Sequence, residues 1–580
     1  MAYPSISMGV LPKDMPYRFN WNAPIITCPH DPSTIFHAAN VVLKTTDGGF
    51  NWDVISPDLT RNDKSKQGPG GVPFTNEGAG GETYNTISYL ACSPHEPNVI
   101  WVGSDDGLVH LTRDGGKKWT NVSPPDLEEA LIHSIEVSPH DPKAAYIVAT
   151  RYKFDDLKPY IYYTDNYGKN WVKITSGIIS TDFVKVVRED PIQRGLLYAG
   201  TESGLYISFN NGEQWDRFQL NLPVCPITDL LIHDNDLIAS TSGRSIWILD
   251  DLSSIQQSMG QLFNGEAVLF KPKKVYRFKA ETPDKPVPEM GQNPLNGVII
   301  DYYLPQLPDS SGLAIQILKG EQVIRSYSNQ MDPNQKTYEG GPMPDKILSS
   351  MKGINRFHWD LQRVTLPSIP DVFVMGNYTG SLVAPGEYTI RMIFRSDTLE
   401  QVCKVLPDPR LEVSTEEYQA QQIVLLQIEN AVKDIHLSVN RMRDVKGQII
   451  TLTQRLEKID RTEEIVNAGK NLVLLLNSWE EKLIQPRQKT YQDVINFPNK
   501  LSAELLDLKN RVDTPDPRIT SGTKDRLKDL LDEWHKHKIE MTRIIEEEVA
   551  IFNQLYRKGE IPALIVPSTG GSGITSDGKE

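Results

Sequence analysis

The chain has 580 residues, several times a typical domain of about 150, so it folds as more than one unit. Its 61 basic against 75 acidic side chains leave a net charge of −14 with no basic stripe to offset it, which argues against nucleic acid and anionic membrane surfaces as partners. No run reaches the roughly 18 to 20 apolar residues of a membrane-spanning helix, and the opening MAYPSISMGVLPKDMPYRF lacks the charged and apolar regions of a secretion signal.

Residues 1–258 repeat two signatures. The first is a turn: Thr45-Thr46-Asp47-Gly48-Gly49-Phe50-Asn51-Trp52, then Thr112-Arg113-Asp114-Gly115-Gly116-Lys117-Lys118-Trp119, then Tyr163-Thr164-Asp165-Asn166-Tyr167-Gly168-Lys169-Asn170-Trp171, then Ser208-Phe209-Asn210-Asn211-Gly212-Glu213-Gln214-Trp215. A glycine stands three residues before each tryptophan. The second is a loop ending in proline: His30-Asp31-Pro32, His95-Glu96-Pro97, His140-Asp141-Pro142 and a degenerate Glu189-Asp190-Pro191. These prolines lie 65, 45 and 49 residues apart, close to the period of propeller blades, and a Gly-rich insertion from Lys64 to Gly81 lengthens the first interval. Short runs such as Val99 to Gly103, Ala145 to Ala149 and Leu196 to Gly200 read as blade strands, and a fifth copy from Asp236 to Asp251 ends without a turn box.

The residue types explain the turn. Asp47, Asp114, Asp165 and Asn210 can accept backbone N–H bonds, glycine supplies a positive φ, and Trp52, Trp119, Trp171 and Trp215 fold back between strands. The expected role of these acids is to staple hairpins rather than to catalyse. The four cysteines form no CxxC pair and no metal-spaced cluster, so they read as buried thiols, and neither metal nor cofactor is expected.

From about Asn264 to 406 the pattern changes to strands broken by Gly, Pro and Asn turns, as in Val298 to Leu304, Leu313 to Leu318 and Ala384 to Met392; a β-sandwich fits. Over 411–558 it becomes helical. Ile428, Val432, Ile435, Val439, Met442, Val445, Ile449, Leu452, Leu456 and Ile459 line one long amphipathic helix. Segments Glu463 to Gln485 and Thr523 to Arg557 can pack on it as an antiparallel bundle, or the long helix can serve a partner as a coiled coil. The Gly- and Ser-rich tail 568–580 reads as disordered. The fold class is therefore multidomain: an all-β propeller, a β-sandwich and an α-helical bundle.

The turn box resembles the Asp-box, or BNR, repeat of sialidases, xyloglucanase-type glycosidases and the sortilin-type propeller. A resemblance to secreted bacterial sortilin-like "glycosyl hydrolase" propeller proteins runs over almost the whole chain. It is carried by Ile55 to Asp63, Asp105-Asp106-Gly107-Leu108-Val109-His110, Arg151 to Tyr160 and Gly243 to Asp251. That resemblance implies an extracellular or periplasmic location, an Ig-like module with Asn355 to Asp360 as one strand, and further blades on the N-terminal side. The chain looks like the C-terminal part of such a protein, with missing blades and an incomplete ring as the expectation.

A glycosidase needs two carboxylates roughly 5 to 10 Å apart, and a sialidase adds arginines for the substrate carboxylate. Acids outside the boxes are Asp58, Asp63, Glu82, Asp105, Asp106, Asp155, Asp156, Asp250 and Asp251. Glu82, Asp106, Asp156 and Asp250 form the candidate catalytic set, and Arg61, Arg151 and Arg244 are the candidate binding cations. Glu82 stands out because it follows the Gly-rich insertion. The bland reading is a set of blade-to-blade salt links. No GxSxG elbow, HExxH helix or P-loop occurs. Two functions remain: a noncatalytic scaffold binding a protein or glycan, which is preferred, and a glycoside hydrolase acting on a polysaccharide.

Overall fold

The computed structural model describes residues 11–68, 83–258, 265–278, 291, 293–310, 312–332, 337–457, 459 and 461–561. The chain forms two compact units, 1–260 and 261–580, so the segments 264–406 and 411–558 fall in one unit. No helix among the described residues is long and apolar enough to cross a membrane.

The first unit is a run of β-propeller blades in which each strand pairs antiparallel with the next in sequence. Blade 1 comprises β1 (Ile25–Cys28), β2 (Asp31–Ala38), β3 (Val42–Thr45) and β4 (Asp53–Val54). Blade 2 comprises β5 (Ile87–Cys92), β6 (Ile100–Ser104), β7 (Val109–Thr112) and β8 (Thr120–Asn121). Blade 3 comprises β9 (Leu131–Val137), β10 (Ala145–Arg151), β11 (Asp156–Thr164) and β12 (Val172–Lys173). Blade 4 comprises β13 (Val184–Glu189), β14 (Leu197–Thr201), β15 (Leu205–Ser208) and β16 (Asp216–Arg217). Blade 5 has three strands, β17 (Ile227–His233), β18 (Asp236–Thr241) and β19 (Ile246–Leu249), and leads into α1 (Ser253–Gln257). Strands β6 and β14 are buried at every residue because a neighbouring blade covers each face, which is why they read as continuous apolar runs rather than alternations.

The turn that follows each third strand works as its residue types dictate. Asp47, Asp114 and Asn210 accept the backbone N–H four residues on, at 3.0, 2.9 and 3.0 Å. In the third copy the acceptor is Asn166, 3.0 Å from Asn170 N, and Asp165 points to solvent; the box sits one residue later than an acid-only reading places it. The tryptophans then reach the preceding blade. Trp119 Nε1 donates to Ile55 O at 2.9 Å, Trp171 to Val122 O at 2.7 Å and Trp215 to Ile174 O at 2.8 Å. Each acceptor directly follows a fourth strand. Gly116 has φ +100°, and a Cβ there would lie 2.7 Å from Ile55 O, so only glycine lets the box approach that carbonyl. Trp52 instead donates to Gly49 O of its own turn at 3.0 Å.

A second staple runs the other way. His30, His95 and His140 donate from Nε2 to the carbonyls of Ser93, Ser138 and Asp190 in the following blade, at 3.0, 3.0 and 2.7 Å. The degenerate fourth loop has a different register from the one its Glu-Asp-Pro spelling suggests. Asp190 accepts from Ile192 N and Gln193 N, as Ser93 Oγ accepts from His95 N and Glu96 N, so exposed Ile192 stands where the other loops place histidine. The blade 4 to blade 5 junction thus has neither staple.

The second unit contains β20 (Val268–Leu269), β21 (Val275–Tyr276), β22 (Val298–Leu304), β23 (Leu313–Lys319), β24 (Gln322–Ser328), β25 (Gly353–Trp359), β26 (Gly386–Phe394) and β27 (Asp397–Leu406). They form sheets ordered β20-β22-β25 and β21-β27-β26-β23-β24, whose buried residues make one core. The helices are α2 (Thr415–Leu456), α3 (Glu463–Leu483), α4 (Leu501–Val512), α5 (Ser521–Arg543) and α6 (Ala550–Lys558), around a second core. Ser414 and Glu417 form a reciprocal capping box at the start of α2. A π turn at Ile544–Val549 divides what the sequence pattern reads as one helix, and α4 escapes that reading because its apolar face spans only 12 residues. Buried His436 joins α2 to two other segments: Nδ1 donates to Pro367 O at 2.7 Å and Nε2 accepts from Ser502 Oγ at 2.5 Å.

Trp215 is 1% exposed, so Trp215→Ala costs about 3 to 5 kcal/mol in urea unfolding of the first unit, whereas half-buried Trp52→Ala costs clearly less. Burial depresses the His436 pKa to about 4 against 6.5 in the unfolded chain, so the unfolded state takes up the proton first. Stability of the second unit is full above pH 6.5 and falls by about 3 kcal/mol as the pH drops toward 4, and His436→Gln flattens that decline in denaturant melts across this range.

Candidate functional site

The first strands of the blades carry polar side chains toward one another, and Arg188 of β13 gathers them. Its Nη2 donates to Asp229 Oδ1 at 2.7 Å and to the Tyr89 hydroxyl at 3.2 Å. Its Nη1 lies 3.1 Å from Ser134 Oγ and 3.4 Å from Glu136 Oε2, and Nε donates to Leu230 O at 2.9 Å. One guanidinium therefore touches β5, β9 and β17 from β13. Burial pushes the Glu136 carboxyl up to about 7, against the pull of Arg188.

Beside this cluster lies a pocket of about 320 Å³. It is lined by Thr86 and Ser88 of blade 2, by Asp105 from the β6 to β7 turn, and by Leu131 and His133 of β9. Tyr152 and Lys153, from the β10 to β11 connection, and Asn20, Trp21 and Asn22, from the segment before β1, also line it. Tyr84 completes the lining, its hydroxyl bonded to the Glu129 carboxylate, which also pairs with Lys66 Nζ at 2.5 Å. Trp21 is 67% and Tyr152 41% exposed, and the Tyr152 ring stacks on Phe183 with centroids 5.2 Å apart, so the lining combines two exposed aromatics with polar side chains.

Asp105 accepts from Thr86 N at 2.9 Å and pairs with Thr86 Oγ1 at 2.8 Å. Burial, and then the neighbouring Asp106 charge, raise its pKa well above the usual carboxylate range. Burial, and then the charge on Lys185, depress the His133 pKa, which leaves the imidazole neutral. Among the described residues Asp105 is the one carboxyl lining the pocket, and no group of three His, Cys, Asp or Glu is placed to hold a metal.

The candidates chosen from sequence lie elsewhere. Asp106 is fully buried behind the pocket, accepting from Ser104 Oγ at 2.6 Å, Asn85 Nδ2 at 2.6 Å and Arg61 N at 2.8 Å, while Arg61 Nε donates to Asp106 O at 2.7 Å. Asp156 meets Arg151 Nε at 3.2 Å and the Tyr160 hydroxyl at 2.6 Å; burial opposes its charge, yet the Tyr160 bond holds its pKa below the usual value. Arg151 also pairs with Glu128 at 2.6 Å. Asp250 and Arg244 belong to blade 5, where Arg244 is exposed and donates to Gly243 O at 3.0 Å. Glu82 lies outside the described residues. The structure thus brings Asp106 together with Arg61 and Asp156 together with Arg151. Of the pocket residues, Asp105, Tyr152 and Lys153 sit in segments the sequence singled out; Trp21, Tyr84 and His133 gave no local signal.

No protein-family model and no curated protein matches the chain. Among solved structures it is similar to an ancestral GH74 enzyme, at 16% identity over 56% of this chain and 40% of that one with a TM-score of 0.31. It is also similar to the GH74 xyloglucanase from Xanthomonas campestris, at 13% identity over 67% and 60% with a TM-score of 0.32. A third is YCF48 bound to D1 peptide, at 15% identity over 40% and 62% with a TM-score of 0.27. The chain spans less than two thirds of the length of each.

An acid whose folded pKa lies above its unfolded 3.8 binds a proton on folding, so its contribution to stability is lost as the pH rises from 3.8 through the folded value. Asp105→Asn removes that loss: urea unfolding from pH 4 to 8 gives a flatter profile, with the variant at least as stable as the unmodified protein at pH 8.

Proposed function

We propose that the first unit is an Asp-box propeller of sortilin-like type that binds a glycan in the pocket between Trp21 and Tyr152 without cleaving it. The observation that carries this reading is a pocket lined by two exposed aromatics, Trp21 and Tyr152, together with hydroxyl and amide side chains and, among the described residues, the single acid Asp105. Aromatic faces stack on sugar rings, and a few placed polar groups fix their hydroxyls. Glycoside hydrolysis needs a second carboxylate across the bond, and Asp105 being the one carboxyl among the described lining residues supports binding over cleavage. The small volume suits a glycan end better than a protein surface. In this reading the two sheets of the second unit form a β-sandwich, its helices an intramolecular bundle, and the protein works outside the cytoplasm, where its ligands are polysaccharides.

Calorimetric titration with a panel of soluble oligosaccharides tests it. At least one binds the full chain, and Trp21→Ala and Tyr152→Ala each weaken that binding about tenfold or more. Chromatography of the incubated sugars shows no products; products that vanish with Asp105→Asn would establish the hydrolase reading in its place.

A further inference from the structure

We infer that blade 5 receives its fourth strand from a partner protein, an extended segment with tryptophan at its first position and an aliphatic or aromatic residue at its fourth. Blades 1 to 4 each close with such a strand: Trp52 to Ile55, Trp119 to Val122, Trp171 to Ile174 and Trp215 to Phe218. In each, the fourth residue donates its N–H to the third strand, as Ile174 N does to Ile161 O at 3.0 Å and Phe218 N to Leu205 O at 2.8 Å.

Strand pairing puts blade 5 in register with the others. Leu197 faces Ser208 and Ala199 faces Tyr206 in blade 4, just as Leu237 faces Leu249 and Ala239 faces Trp247 in blade 5. Leu249 therefore replaces the Thr or Ser that opens each box, no turn forms, and among the described residues no strand pairs with the far edge of β19. The equivalent strand β15 is buried throughout, whereas Ile246 and Ile248 are 67% and 56% exposed.

The seat for the incoming tryptophan is already built. Trp215 packs among Ile161, Ile174, Ile178 and Tyr206. The corresponding residues one blade on are Leu205, Phe218, Leu222 and Trp247, and these line an open apolar groove. Phe218 O stands where Ile55 O, Val122 O and Ile174 O accept the indole N–H in the other junctions. Three junctions of the same protein thus specify the occupant, and addition of a strand to an open sheet edge is an established mode of peptide capture.

The probe is a fluorescein-labelled peptide copying residues 168–176, GKNWVKITS, titrated into the full chain by anisotropy and mapped by hydrogen exchange. The expected result is saturable binding that protects the amides of Ile246 to Leu249, weakened about tenfold or more by W171A in the peptide or by Leu220→Asp in the protein. Leu220 borders the groove and is 63% exposed, so the variant keeps its melting temperature. Absence of binding, equal binding of the W171A peptide, or protection at Tyr162 and Tyr163 instead, which signals exchange with the resident strand, overturns the inference. Concentration-dependent self-association that protects β19 overturns it too, by making the occupant a second copy.

Discussion

The first unit depends on a pair of reciprocal hydrogen bonds made at the junctions between successive blades. A tryptophan N–H reaches back to the carbonyl just past the previous fourth strand, and a histidine N–H reaches forward to the carbonyl just past the next first strand. Both acceptors are backbone groups at strand ends, where the sheet ladder has stopped and an unpaired carbonyl would be costly if buried. Net worth per bond is about 1 kcal/mol, so their importance is geometric: they fix how far one sheet rotates on the next, while the apolar clusters shared between neighbouring blades supply most of the stabilisation.

With the rotation fixed, the inner strands converge closely enough for Arg188 of blade 4 to touch residues of three other blades. A guanidinium with five donors in a plane suits that position better than lysine would, because Tyr89, Ser134, Glu136, Asp229 and a main-chain carbonyl approach from different sides. The pocket lies next to this cluster, and serine, threonine and histidine of the first strands and their flanks line it where aliphatic residues fill the positions between blades.

What the sequence reveals is what is local. The box and its tryptophan are an eight-residue hairpin with its own hydrogen bonds, and the turn residues at 47, 114 and 210 announce it. Where two acceptors stand side by side, as Asp165 and Asn166 do, composition cannot say which one the backbone uses. The fourth loop misleads for a related reason: Glu189-Asp190-Pro191 imitates His140-Asp141-Pro142 in letters, but the length of the β13 to β14 turn makes Asp190 the equivalent of Ser138. The pocket was least legible, since Trp21, Thr86, Asp105, His133 and Tyr152 meet only once three segments have stacked. In the second unit the 42-residue α2 is plain from its periodicity, whereas α4 owes its existence to the bundle it packs into.

The missing histidine at Ile192 gives the propeller unequal joints. Junctions between blades 1 and 4 carry both staples; blade 5 is held to its neighbour by the Arg188 to Asp229 pair, by Gln256 reaching Asp190 at 2.9 Å, and by one apolar cluster. In an array whose stability is a sum of repeats and nearest-neighbour contacts, the weakest joint decides where opening begins. Among the described residues, blade 5 is therefore attached through side-chain bonds and apolar packing alone, so loss of the Arg188 to Asp229 pair or of Gln256 removes a share of its attachment that the stapled joints would keep.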